Sequence, residues 1–211
     1  MIRNLKVLGL ALVALLAMTA MASSASAATF TSAQSSTTIH ATQGEAHKLT
    51  VTNQSITCST VTFHGVISGT STTTATVNPT YTNCKTAIGT TATVTGFGHF
   101  GEEKTCDYLL NAGGTVDLVC QSGAAVKIDA GTCTIHIPGQ TGIGTIEYAN
   151  VANGDIQATL KINNISGTHT DGFACPFESG GAFTNGSMSG TSVVAGSDPE
   201  TGTAVNITYD K

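Results

Sequence analysis

The chain has no tryptophan, a single arginine (Arg3), four prolines, and charged side chains at only 10% of its 211 positions. Each scarcity removes a class of protein. With so little Lys and Glu, long surface helices laced with ion pairs cannot be written, so an all-helical bundle is excluded. A nucleic-acid partner needs a basic stripe, and beyond the first 27 residues the chain carries six lysines against thirteen carboxylates, a net charge of −7. Sugar-binding platforms are commonly built from exposed Trp and Tyr faces. The four tyrosines (Tyr81, Tyr108, Tyr148, Tyr209) supply such a platform poorly.

No apolar run reaches the roughly 20 residues that span a bilayer as a helix. The longest extends from Val7 to about Met21, follows the cations Arg3 and Lys6, and leads into Ala25-Ser26-Ala27. That order is the three-part layout of a secretory signal with cleavage after Ala27. The expectation is therefore a signal at 1–27 and one secreted β-domain at 28–211. No Cys near the run offers a lipid attachment, so no membrane association is expected after cleavage.

What is abundant is threonine, at 37 positions, and glycine, at 24. Six cysteines all follow the signal: Cys58, Cys84, Cys106, Cys120, Cys133 and Cys175. An even count in an exported chain reads as structural disulfides. No two lie in a C-x-x-C spacing, so zinc-ribbon and thioredoxin readings have no support.

Two hairpins give the cysteines a register. One centred on Ser71 pairs positions whose numbers sum to 142, which sets Cys58 opposite Cys84, Val61 opposite Tyr81, Phe63 opposite Pro79 and Gly65 opposite Val77. Apolar residues then collect on one face, and a face destined for burial is what fixes register. The two cysteines fall on the other, Thr-rich face as an outer staple, unless a bulge near Asn83 shifts them. A second hairpin turning at Ala112-Gly113-Gly114 sets Cys106 opposite Cys120 on the apolar face, with Tyr108 facing Leu118. Cys133–Cys175 follows by elimination. Cys106–Cys175 with Cys120–Cys133 is the competing arrangement.

Alternating apolar positions predict further strands at 124–130, 132–137 and 156–162, and later segments around 173–177, 182–190 and 205–209. Residues 29–52 read as two edge-type strands divided at Gln43-Gly44. Strands recurring this often with Gly, Asn or Ser between them predict an all-β, disulfide-stapled antiparallel β-sandwich, with a barrel as the alternative.

The succession Ile56-Thr57-Cys58, Asn78-Pro79-Thr80-Tyr81 to Cys84, Val119-Cys120, Thr132-Cys133-Thr134-Ile135-His136-Ile137-Pro138 and Phe173-Ala174-Cys175-Pro176 resembles secreted, Thr/Gly-rich, six-cysteine β-proteins that soil actinobacteria encode in many copies. The resemblance spans the chain after the signal. It implies export and fold, and no mechanism.

Motifs with chemical meaning are weak. Gly96-Phe97-Gly98-His99-Phe100-Gly101 matches G-x-G-x-x-G but runs into Glu102-Glu103 and a strand, where a phosphate cradle needs a helix N-terminus. His99, Glu102, Glu103 and Asp107 form the densest titratable set and read as a solvated loop, with acid–base chemistry or a divalent-cation site as the rivals. His40, His47, His64, His136 and His169 sit singly on strands, where a surface or cross-strand role is the default. Gly186-Ser187-Met188-Ser189-Gly190 misses G-x-S-x-G by one residue and lies in a strand-like run. Sequons at Asn53, Asn164, Asn185 and Asn206 carry no conclusion in a chain so rich in Thr.

The functional expectation is a secreted structural or interaction protein with no catalytic, cofactor or metal residues. A glycan- or small-molecule-binding module is the first alternative, and a hydrolase assembled from distant loops the second.

Overall fold

The computed structural model describes residues 27–51, 54–98, 105–121, 123–170, 175 and 181–211. Among these, regular structure is strand apart from one 3-10 turn at Ala152–Gly154. The wall elements are β2 (Ser36–Val51), β3 (Gln54–Ser68), β5 (Thr74–Thr86), β6 (Thr91–Thr95), β7 (Cys106–Asn111), β8 (Thr115–Cys120), β9 (Ala125–Ala130), β10 (Cys133–Pro138), β11 (Gln140–Val151), β12 (Asp155–Thr170) and β13 (Gly181–Ser197). Four short strands complete the set: β1 (Thr29–Ser32), β4 (Ser71–Thr72), β14 (Ala204–Val205) and β15 (Ile207–Asp210).

Five long strands, β2, β3, β5, β12 and β13, run the full length of the wall. The rest of the wall is three bent paths. β6 and β7 both pair antiparallel with β5, at opposite ends of it (Cys84↔Ala92 and Val77↔Tyr108). β9 and β8 are their respective neighbours. β10 and β11 in turn share β12 (His136↔Thr168 and Gly144↔Ile162). β13 joins β12 to β2 and closes the circuit. Of the two architectures expected, the sheet adopts the closed form, an eight-path antiparallel barrel.

The bends fall where chain direction must change inside one path. At the first, Gly96 has φ +94°, and a Cβ there would stand 2.3 Å from the Ala125 carbonyl oxygen, so only glycine fits. Cys106 N–H donates to Gly96 O across this bend at 2.8 Å. At the third bend the Gln140 side chain does the work of a backbone. Its Nε2 donates to Ser166 O and its Oε1 accepts from Ser166 N–H, both at 2.8 Å, where β10 hands over to β11 along β12.

The barrel is apolar inside and Thr/Ser-rich outside. Along β12, Ile156, Ala158, Leu160 and Ile162 are buried in strict alternation, as a period-2 pattern requires. After the exposed pair Asn163-Asn164 the inward set resumes with Ile165. A lipid-spanning barrel shows the reverse polarity; here the large hydrophobics exposed among the described residues are Ile88 and Val119. The small sheet β15-β1-β4 lies across one end. There Phe30 packs edge-on against Tyr148 at 4.9 Å, and Tyr209 Oη donates to Ala112 O at 3.1 Å.

The disulfides are Cys58–Cys84 and Cys106–Cys120, as the two registers set them, and Cys133–Cys175, the pairing reached by elimination; the competing Cys106–Cys175 and Cys120–Cys133 arrangement does not form. Of the two placements left open for Cys58 and Cys84, the structure has the one shifted by a bulge near Asn83: they are not an outer staple but buried, at 5% and 1% exposure. The exposed pairs Ser59-Thr60 on β3 and Thr82-Asn83 on β5 insert one residue in each strand, with Asn83 at φ 53°. The sum of 142 survives while both cysteines swing inward. The two edge strands expected over 29–52 are likewise corrected. Only β1 is short and peripheral, whereas β2 is one continuous wall strand with a bulge between Thr42 and His47.

Candidate functional site

Among the described residues, a pair of apolar cavities is stacked along the barrel interior. One measures ≈ 40 Å³ and the other ≈ 50 Å³, taken as the space open to the centre of a water-sized sphere. A single water needs about 10–15 Å³ on that measure, so each cavity has room for several heavy atoms. The first lies behind the bent paths, against Phe97, Leu118, Ile137 and Met188. The second lies toward the capped end, against Phe63, Ile146, Ala158 and Leu160. His47 and Tyr108 line both and form the partition.

This partition is the polar centre of the molecule. His47 Nε2 and Ser192 Oγ are 3.1 Å apart, and among the described residues the buried Nδ1 of His47 has no partner in hydrogen-bonding geometry. Burial lowers the His47 pKa from its usual 6.5 to about 4, with a smaller opposing contribution from the Thr191 backbone. Tyr81 Oη and Tyr108 Oη lie 3.4 Å from each other and donate to Met188 Sδ at 3.7 and 3.8 Å. Thioether sulfur is a weak acceptor, so these hydroxyls are poorly satisfied for buried groups. Burial raises both, Tyr108 to about 12 and Tyr81 well above its usual value, which keeps them as hydrogen-bond donors at any physiological pH.

The aromatic rings are contiguous. Phe97 stands 5.8 Å from Tyr81 and 5.4 Å from Tyr108, and His47 stands 5.5 Å from Phe63. The glycine-rich stretch singled out in the sequence thus contributes Phe97 to a cavity wall. Its later residues, His99, Glu102 and Glu103, lie outside the described residues. Asp107, the described member of that titratable set, accepts from Asn78 Nδ2 at 2.9 Å.

Of the histidines expected in a surface or cross-strand role, His47 and His169 are cross-strand but buried, at 3% and 6% exposure. His47 was hidden from sequence reasoning because Gly44–Ala46 bulge outward before it, which disguises the alternation that resumes at His47, Leu49 and Val51. His40 and His64 do form an exposed cross-strand pair. The Gly186–Gly190 stretch has a packing explanation: Met188 points inward, and the two glycines make room for Ile165 and His47. Tyr81 and Tyr108 face the core as read, and no row of exposed aromatics forms among the described residues. All six cysteines act as structural crosslinks. No family model, curated protein or solved structure matches the chain.

Proposed function

We propose that the protein is an extracellular binding protein that encloses a small apolar molecule bearing one polar group. The observation that supports this most is the pair of apolar cavities meeting at His47, whose buried Nδ1 lacks a hydrogen-bond partner among the described residues, and Tyr108, whose hydroxyl donates to a thioether sulfur. An eight-stranded barrel has an interior just wide enough to be filled by side chains or to hold one small ligand. Ligand sites of this kind are mostly apolar with a few convergent polar groups. Three disulfides and the signal-like opening support an oxidising, extracellular setting. The resemblance to secreted actinobacterial β-proteins agrees with this, as does the acidic surface with nucleic acid as an unsuitable partner.

Catalysis is not part of this reading. His47 and Ser192 are the nearest thing to a nucleophile and base, but a histidine with a pKa near 4 is a weak base at neutral pH. No carboxylate orients it among the described residues. A purely structural role is the second reading, favoured by a wall in which β13–β2 and β12–β13 pairing leaves no open sheet edge.

The test is thermal unfolding with a panel of small cyclic alcohols, phenols and ketones. A ligand at a hundredfold excess over its Kd stabilises by about 2.7 kcal/mol, or roughly 5–10 °C for a domain of this size. The variant Ala158→Phe, which fills the second cavity, should fold and lose the response of compounds that occupy it. Absence of any shift across the panel, together with no small molecule in solvent extracts of the secreted protein, would leave the structural reading.

A further inference from the structure

The outer face carries a row of four side chains across four neighbouring strands. His40 on β2 is the register partner of His64 on β3, and His64 is the partner of Asn78 on β5. Asn78 adjoins Val77, the partner of Tyr108, so Asp107 on β7 ends the row. The row is organised in two pairs. His40 Nδ1 and His64 Nδ1 are 2.8 Å apart with their rings edge to face, and Asn78 Nδ2 donates to Asp107 Oδ1 at 2.9 Å.

We propose that His40 and His64 form the nitrogen half of a surface site for a divalent transition-metal ion, with Cu²⁺ as the preferred ion. Two imidazole nitrogens on one metal, at about 2.0 Å each and in cis positions of a square plane, stand about 2.8 Å apart, whereas tetrahedral ligands stand about 3.3 Å apart. The observed 2.8 Å is the length of an N–H···N hydrogen bond, so a small shift of the rings brings both nitrogens onto one ion, and Cu²⁺ heads the affinity order for nitrogen ligands. Both rings project from wall strands held on each side by ladder pairing, so the pair is preorganised rather than gathered from loops. The Asn78 amide nitrogen is engaged by Asp107, which leaves the amide oxygen as the donor available beside His64. Oxygen-seeking cations such as Ca²⁺ or Mg²⁺ have no reason to choose two imidazoles.

In the metal-free protein the two Nδ1 atoms contact each other, and one of them carries the hydrogen between them. A cation takes the place of that hydrogen. The imidazole that gives up its Nδ1 hydrogen takes a proton on Nε2, so two metal–nitrogen bonds form to neutral rings with no net proton release; affinity falls in acid because an imidazolium must first lose a proton to ligate.

The experiment is titration of the purified, tag-free protein with Cu²⁺, followed by electron paramagnetic resonance. One equivalent should bind with hyperfine structure from two imidazole nitrogens. His40→Ala and His64→Ala should each lower affinity about tenfold or more and abolish the two-nitrogen signature. His136→Ala should leave both unchanged, and far-UV circular dichroism checks that all three variants keep the β-fold. The proposal is overturned if no copper binds at equimolar concentration, or if either His40→Ala or His64→Ala retains the two-nitrogen spectrum.

Discussion

The imidazole of His47 lies flat over the backbone of Gly190: a Cβ built on that glycine would stand 2.5 Å from His47 Cδ2 and 2.6 Å from Cγ. The ring cannot retreat far, because Phe63 and Tyr81 stand 5.5 and 6.2 Å from it. Gly190→Ala should therefore destabilise by about 1–3 kcal/mol, the usual cost of forcing extra atoms against a buried ring, unless the ring yields into the cavities it lines. Urea denaturation measures the loss, and the Phe63→Ala background should recover part of it by giving the ring somewhere to go. A loss in Gly190→Ala no larger than about 0.5 kcal/mol, the ordinary surface value, would mean that the ring is not held there.

His47 also makes stability depend on pH. In the unfolded chain it binds a proton near pH 6.5, whereas the folded state resists protonation until about pH 4. Above pH 6.5 both states are neutral at this group and it contributes nothing. As pH falls from 6.5 toward 4 the unfolded state binds the extra proton, so stability is lost through that window, by roughly 3 kcal/mol in all. Comparing urea midpoints of the wild type and His47→Gln between pH 7 and 4 isolates this contribution, because other groups titrate in both. Parallel pH profiles would show that His47 does not carry the effect.

Much of this architecture was legible because local pairing is arithmetic. The register of 142 holds from Ile56↔Thr86 to Val66↔Thr76 on both sides of a gap at Ser59 and Asn83, and that of 226 from Cys106↔Cys120 to Leu110↔Val116. What escaped was closure and, in part, face, which hung on whether a bulge formed near Asn83. Paired bulges at Ser59-Thr60 and Thr82-Asn83 leave a register sum unchanged while reversing which side the cysteines occupy. The contact that closes the barrel joins Leu49 to Met188, too distant in the chain for any turn to specify. The interior site was illegible for the same reason. His47, Tyr81, Tyr108, Met188 and Ser192 come from four strands, β2, β5, β7 and β13, and converge only once the wall is closed. Gly186 and Gly190 were the available signal, since glycine inside a strand marks a close approach.

The crosslinks should carry a large share of stability. Sequence separations of 14, 26 and 42 residues correspond to roughly 3–4 kcal/mol each in the chain-entropy treatment. Non-reducing peptide mapping should return Cys58–Cys84, Cys106–Cys120 and Cys133–Cys175. Adding dithiothreitol should shift the urea midpoint strongly downward, since the total rivals the 5–15 kcal/mol net stability typical of a domain. A Cys120–Cys133 peptide would contradict the second and third bonds together.

Gln140 is the test of how the bent wall is held. Its amide occupies both polar groups of Ser166, taking the place of a neighbouring strand's backbone at the point where β10 becomes β11. A third bond, from Nε2 to Pro138 O at 3.0 Å, ties the same amide to the end of β10. Gln140→Ala strands a half-buried N–H and a carbonyl together, so the expected cost is about 1–3 kcal/mol, well above that of an ordinary surface change. Gln140→Glu is the sharper variant. It keeps length and acceptor, retaining the bond from Ser166 N–H, but loses the donor and sets a carboxylate against the Ser166 carbonyl oxygen. It should therefore be no more stable than Gln140→Ala at pH 7 and regain stability when acidified enough to protonate it. Hydrogen exchange supplies the local readout: the Ser166 amide should lose protection in Gln140→Ala while that of Leu160, deep in the β12–β13 ladder, falls only by the change in global stability. Unchanged protection at Ser166 would mean that the bend is held by the flanking ladders alone.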